Sequence, residues 1–441
     1  MADTRVRDAA AIGALLFGAH LLRFADTMYA ADDAWIVFRV ARNWLATGVP
    51  AFDLTRPVVE GATSPMWTVL SAAFGEDPIG PARVLGGLFG ILAVFLAARA
   101  AGSVRGAAGV GLALAACGGL AFHAVNGLET GLWVMLVVIA ALGHRSALFL
   151  LPWCRPEGVL VGLIAARDRR GLALLALGAV TVGAWRWFHF GALVPNTFLA
   201  KPPAPAQGLA YVGAWVVALG GAPVLALFTR RWRWIALIGV TAAGVAWSGG
   251  DWMPGQRRLA EASVLVALAL GSSFRKPGVI GLVAMILGGL TAAWRGMDHA
   301  AYYHGELAAV GALAAQTTAI TRIAAFDIGR LGWVFPGSIY DLAGLTDARL
   351  ARRPGAHGQK GWDSPYFDRQ SPELVLLTGA GDPAHPVFIN AEQAAWDALN
   401  GRGDYELLGP VAVGRDHLFV LVREDVVLPP EVWAGWEERV R

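Results

Sequence analysis

Of the 441 residues, 56% are hydrophobic and only 16% are charged, against roughly 25% charged in a typical soluble domain. The net charge of +3 comes from basic residues scattered in short clusters between apolar runs, a pattern that argues against a nucleic-acid surface. Two cysteines, Cys117 and Cys154, both in apolar stretches, argue against a disulfide framework or a cysteine metal site.

Arg5 and Arg7 precede an apolar run from Ala9 to Phe24. No small-residue cleavage site leads from it into a soluble region, so it reads as a retained first helix rather than a signal peptide. A membrane span needs about 20 mostly apolar residues. Segments 9–25, 84–101, 107–124, 128–144, 171–188, 209–228 and 278–295 qualify, with shorter ones at 235–248 and 259–272. Stretch 146–166 is broken at Arg155-Pro156-Glu157 and reads as two short helices forming a hairpin, because proline and two charges face lipid only at high cost. The sum is about eleven membrane segments.

Composition becomes ordinary after Met297. The chain is therefore expected to divide into an all-α membrane domain, 1–297, and a small soluble α/β domain, 298–441. Leu374–Thr378 and Leu418–Val422 have strand character, and Arg322–Arg330 is a third candidate. Eighteen tryptophans suit membrane interfaces.

Threading the spans up and down puts Arg5 and Arg7, Arg99 and Arg105, Arg145, Arg167–Arg170, Arg230–Arg233, and Arg275 with Lys276 on one side. The excess of basic residues marks that side as cytoplasmic. The polar, turn-rich stretches then share the outer face: 26–83, 124–130, the 155–157 break, 189–208, 249–258 and everything after 297. A site built from several outer loops follows.

The first outer loop opens on Asp32-Asp33, and Trp35, Phe38 and Arg42 share spacing that suits a short interfacial amphipathic helix. An aspartate capping that helix accounts for one carboxylate. It does not account for the second, nor for Glu60 in VEGATSPMW. Ionisable groups gathered at a membrane surface point to function. Asn126 and Glu129 in AFHAVNGLETGLW form either a connecting turn or part of the site. Arg155 and Glu157 at the hairpin tip form either an internal ion pair or a binding group. In GALVPNTFLAK, Asn196 precedes Lys201, which either meets an anionic headgroup or snorkels. GGDWMPGQRR brings Asp251, Arg257 and Arg258 together, and paired arginines suit phosphate. In the tail, FDIGRLGW and YDLAGLTD supply Asp327, Arg330, Asp341 and Asp347.

In order, these stretches resemble the polyprenyl-phosphate-sugar-dependent glycosyltransferases of the GT-C fold, in particular the mycobacterial terminal arabinofuranosyltransferases and their bacterial relatives. The matching segments are 32–43, 59–67, 127–130, 155–158, 195–201, 249–258 and 327–347. Val40 and Leu199 stand where tyrosine is usual, and Trp333 also departs from the pattern.

The resemblance implies a multi-span GT-C helical bundle in the bacterial cytoplasmic membrane, with its active site and C-terminal domain on the extracytoplasmic side. The donor it implies is a polyprenyl phosphate carrying one sugar, arabinofuranose-like. The acceptor would be an extracytoplasmic glycan, lipid or protein. The reaction expected is inverting transfer, with Asp32 or Asp33 as general base. Lys201, Arg257 and Arg258 would stabilise the leaving phosphate. Arg39, Arg42, Glu60, Glu129, Arg155, Glu157, Asn196, Asp251, Asp327 and Arg330 complete the expected binding set. No nucleotide-sugar loop and no cofactor are expected, although clustered carboxylates are compatible with a divalent cation. Mannose, aminoarabinose or another lipid-linked sugar would fit the same motifs. A transporter of lipid-linked glycans fits less well, because transporters place ionisable groups near the midplane between repeats.

Overall fold

In lipid a chain satisfies its backbone as helices or as a closed β-barrel, and the long apolar runs here are helices. The computed structural model describes residues 2–24, 30–273, 276–291, 297–413 and 416–440. The chain divides into two units. One comprises Met1–Met28, Ser64–Trp185 and Pro203–Met297, and the other Tyr29–Thr63, Arg186–Pro202 and Asp298–Arg441. Tyr29–Thr63, the larger part of the 26–83 stretch, and the 186–202 segment thus group with the tail, while that stretch from Ser64 on groups with the apolar helices.

In the first unit, helices occupy the expected segments, but not all at spanning length. Ile79–Ala100 and Arg169–Phe190, the latter ending in the second unit, are long and apolar enough to cross a membrane. The expected 107–124 span is two helices, Val104–Ala115 and Gly118–Ala124, bent by 68°; counted as one, they make a third crossing. Thr130–Leu142 is apolar but shorter. The expected 209–228 span is likewise two pieces, Pro205–Ala218 and Ala222–Leu227. The expectation of about eleven spans therefore resolves into many apolar helices, of which two or three are full crossings by length and composition among the described residues. The hairpin is as expected: Arg145–Cys154 and Gly158–Ala165 flank the Arg155-Pro156-Glu157 break. Residues 26–29, Arg275 and the end of the 278–295 segment lie outside the described residues.

Small residues let these helices approach. A Cβ on Gly13 would lie 2.5 Å from the Gly111 Cα, so Ala2–Leu22 and Val104–Ala115 meet backbone to backbone, the packing that membrane interiors favour.

The second unit contains a six-stranded sheet. Its strands are β1 (Arg322–Ala325), β2 (Ser338–Asp341), β3 (Leu374–Ala380), β4 (Val387–Phe388), β5 (Tyr405–Val413) and β6 (Asp416–Arg423). The order is β2-β1-β3-β6-β5, with β4 paired to β3. β1 pairs in parallel with β2 and β3, and β6 runs antiparallel to β3 and β5. β1 and β2 are nearly continuous buried runs, as strands covered on both faces are. Their core includes Tyr340, Phe367, Leu377, Phe419 and Leu421. All three expected strands are present, but the third is shorter than its candidate segment. From Gly329 the chain turns into a helix, Gly329–Val334.

Glu392, in the first turn of helix Asn390–Leu399, is buried and accepts the Thr378 N–H of β3 at 2.8 Å. Burial pushes its carboxyl well above the usual value of 4.5; the Thr378 bond opposes the rise and nearby Asp327 adds to it. The fold therefore favours the protonated form. The stability this contributes is full below the ordinary carboxylate pKa and is lost as pH rises through the elevated one. Glu392→Gln should flatten that decline. Melting temperature followed from acid to neutral pH should fall more steeply for the parent than for the variant, and equal slopes would contradict this assignment.

Candidate functional site

The Asp32-Asp33 pair begins the helix Asp32–Thr47. The two carboxylates have different surroundings. Asp32 is 3% exposed, and its Oδ2 and Oδ1 accept the backbone N–H groups of Gly329 at 2.7 Å and Arg330 at 2.8 Å. It therefore closes the N-terminal turn of helix Gly329–Val334. Gly329 is required for that approach, because a Cβ there would lie 1.9 Å from the Asp32 carbonyl oxygen. Asp33, one residue on, is half-exposed.

Arg39 is buried and donates to the carbonyls of Gly332 at 2.6 Å, Phe335 at 3.1 Å and Gly337 at 2.8 Å. Burial pushes its pKa down to about 10, against the pull of Asp53. Arg42 stacks on Trp333, 4.1 Å from the ring centroid, and donates to its carbonyl. The tryptophan that departs from the family pattern is thus a partner of the first-loop helix. Arg330 lies half-buried over Trp35, 6.0 Å from the ring centroid. Asp327 is half-exposed, and its charge acts on Glu392.

Glu60 is buried and makes a two-pronged pair with Arg186, at 2.7 and 3.1 Å. Burial raises its pKa, opposed by the Arg186 hydrogen bond and charge. Asn196 donates to the carbonyls of Gly344 and Leu345, both at 2.9 Å. Lys201 is half-exposed at the end of helix Asn196–Ala200; its backbone N–H bonds the Thr197 carbonyl at 2.9 Å, and its ammonium has no hydrogen bond or ion pair among the described residues.

In the first unit the remaining candidates form a separate group. Arg155 pairs with Glu129 at 2.7 Å, both buried, while Glu157 is 3.9 Å away and partly exposed. The ion pair at the hairpin tip is thus with the preceding loop more than with its own neighbour. Arg257 pairs with Asp251 at 2.7 Å and interacts electrostatically with both Glu129 and Arg155. Arg258 donates to the Ser248 hydroxyl at 2.7 Å and the Gly250 carbonyl at 3.2 Å. Asn126 bonds the His123 ring, which bonds the Pro254 carbonyl at 2.6 Å, so the 121–130 and 249–258 stretches are joined.

Sequence reasoning missed several of these partners. Arg186 lies near the end of an apolar run, and a basic residue interrupting that run was the available signal. Arg56, held between Asp53 at 3.4 Å and Asp347 at 2.9 Å, and Glu261, buried and coupled to Arg155, carried no motif. Among the described residues no group of three or more His, Cys, Asp or Glu is placed to hold a metal ion.

The architecture matches that of a solved GT-C protein, ArnT from Cupriavidus metallidurans in the apo state. The TM-score is 0.55 over 94% of this chain and 96% of that one, at 13% sequence identity. The chain has the GT-C fold. It also resembles the terminal beta-(1->2)-arabinofuranosyltransferase of Mycobacterium tuberculosis, at 33% identity over 261 residues, as the motif series implied. That alignment covers 46% of this chain and 41% of the relative, so the chain spans less than half the length of the relative it matches. Residues 295–421 match a domain of unknown function, DUF8728.

Proposed function

We propose that this chain is a membrane glycosyltransferase that moves a sugar from a polyprenyl phosphate to a hydroxyl of an extracytoplasmic glycan, lipid or protein, with Asp33 as general base. The supporting observation is the division of labour between the two aspartates. Asp32 is buried with both oxygens on backbone N–H groups, so it positions the loop against the tail. Asp33 is the carboxylate with solvent access, as a base that must reach an incoming hydroxyl requires. It takes the acceptor proton while the acceptor oxygen bonds to the anomeric carbon, and the bond from that carbon to the phosphate breaks with its electron pair leaving on the phosphate.

Arg39, Glu60 and Asn196 are assigned to bracing, because their polar groups are engaged by partners of the same unit. Asp251 holds Arg257. Arg258, bound only to neutral oxygens among the described residues, is assigned to the donor phosphate, with the Glu129–Arg155 pair, Glu157 and Arg257 of the same unit. Lys201, on the second unit, is a further candidate for an anionic headgroup. Arg42, Asp327 and Arg330 are assigned to substrate contacts on the tail side. The relative's name makes arabinofuranose the first sugar to try.

A planar guanidinium grips phosphate through two parallel hydrogen bonds, which an ammonium cannot reproduce. Arg258→Lys should therefore raise the apparent KM for the lipid-phosphate donor and leave that for the acceptor nearly unchanged. Saturation curves in each substrate measure this; a change confined to the acceptor would move Arg258 to the acceptor site.

A further inference from the structure

Between Arg186 and Lys201 the chain sorts its polarity inside out. Asn196 and Thr197 are buried, with Asn196 fastened to the Gly344 and Leu345 carbonyls and its own N–H on the Glu60 carbonyl at 3.2 Å. On the other side of the same turn Leu193, Val194, Phe198 and Leu199 are exposed, at 62%, 50%, 52% and 41%. A loop in water does the reverse. The segment follows directly from Arg169–Phe190, a helix long and apolar enough to cross a membrane, whose last turn leaves Trp187 and Phe188 bare. No acidic residue lies between Arg186 and Lys201, and a basic residue stands at each end. Apolar and aromatic groups flanked by cations, continuous with a span, match the boundary between headgroups and acyl chains.

We propose that the 193–199 turn is a membrane anchor. It inserts Leu193, Val194, Phe198 and Leu199 into the bilayer surface, while its buried polar side ties the Gly344–Leu345 turn of the tail to that depth. The occupant is lipid of the host membrane, because the turn begins three residues after a helix that already lies in it.

The test uses the full chain in lipid nanodiscs. Phe198→Cys and, independently, Leu193→Cys are labelled with a polarity-sensitive dye; the native Cys117 and Cys154 are buried and do not compete. A control label replaces the exposed Asp382. The expected result is quenching of both anchor labels by lipids spin-labelled near the headgroup, with loss of most of the iodide quenching that the control shows. Full iodide quenching at both anchor positions would overturn the proposal. So would protection from iodide without lipid quenching, which would mark a protein–protein contact.

Discussion

Asp33→Asn should leave the protein folded and lower turnover by about 10²–10⁴-fold, the usual contribution of a general base. Asp32→Asn should behave differently. Its carboxylate receives two buried N–H groups, and an amide offers one oxygen for the two. The other N–H is left facing an NH2 group, which costs about 1–3 kcal/mol. Asp32→Asn should therefore lower the melting temperature as well as activity, because helix Gly329–Val334 loses its anchor. Thermal unfolding and turnover measured on both variants separate the two roles. A fully active, folded Asp33→Asn protein would remove Asp33 from the chemistry.

The second large effect concerns the hairpin tip. Glu129 and Arg155 are buried and 2.7 Å apart. Removing one partner of such a pair strands the other and typically costs about 3–5 kcal/mol. Arg155→Ala should thus destabilise the membrane unit strongly, since Glu261 also depends on the same guanidinium. Arg155→Met combined with Glu129→Gln should recover part of the stability, because no unpaired ion remains at position 129. It should recover no activity if Arg155 also serves the donor. Detergent-resistant unfolding curves measure the first claim and turnover the second. A stable Arg155→Ala protein would show that water, not Arg155, satisfies Glu129.

How far these sites were legible in the sequence depended on how local their causes were. The hairpin could be read because Pro156 between two charges interrupts an apolar run whatever surrounds it. β3 and β6 could be read because their apolar runs are short and continuous. The Asp32-Asp33 pair could be found, but the roles could not be divided: consecutive helical residues point about 100° apart, and the N–H groups that claim Asp32 come from residues 329 and 330. The same holds for Glu60, whose partner Arg186 is 126 positions away, and for Arg39, which meets carbonyls nearly 300 residues later. Helix lengths were overestimated at 107–124 and 209–228, where the apolar run continues across a bend. Hydropathy sees composition there, not direction.

The most direct test of the central claim is transfer of a labelled sugar from synthetic polyprenyl-phosphate arabinofuranose to a hydroxyl acceptor by the purified chain in lipid. The account predicts a new glycosidic product with the parent protein and its loss with Asp33→Asn. Movement of intact donor across sealed vesicles with no glycosidic product, from this or any other lipid-phosphate sugar, would contradict it.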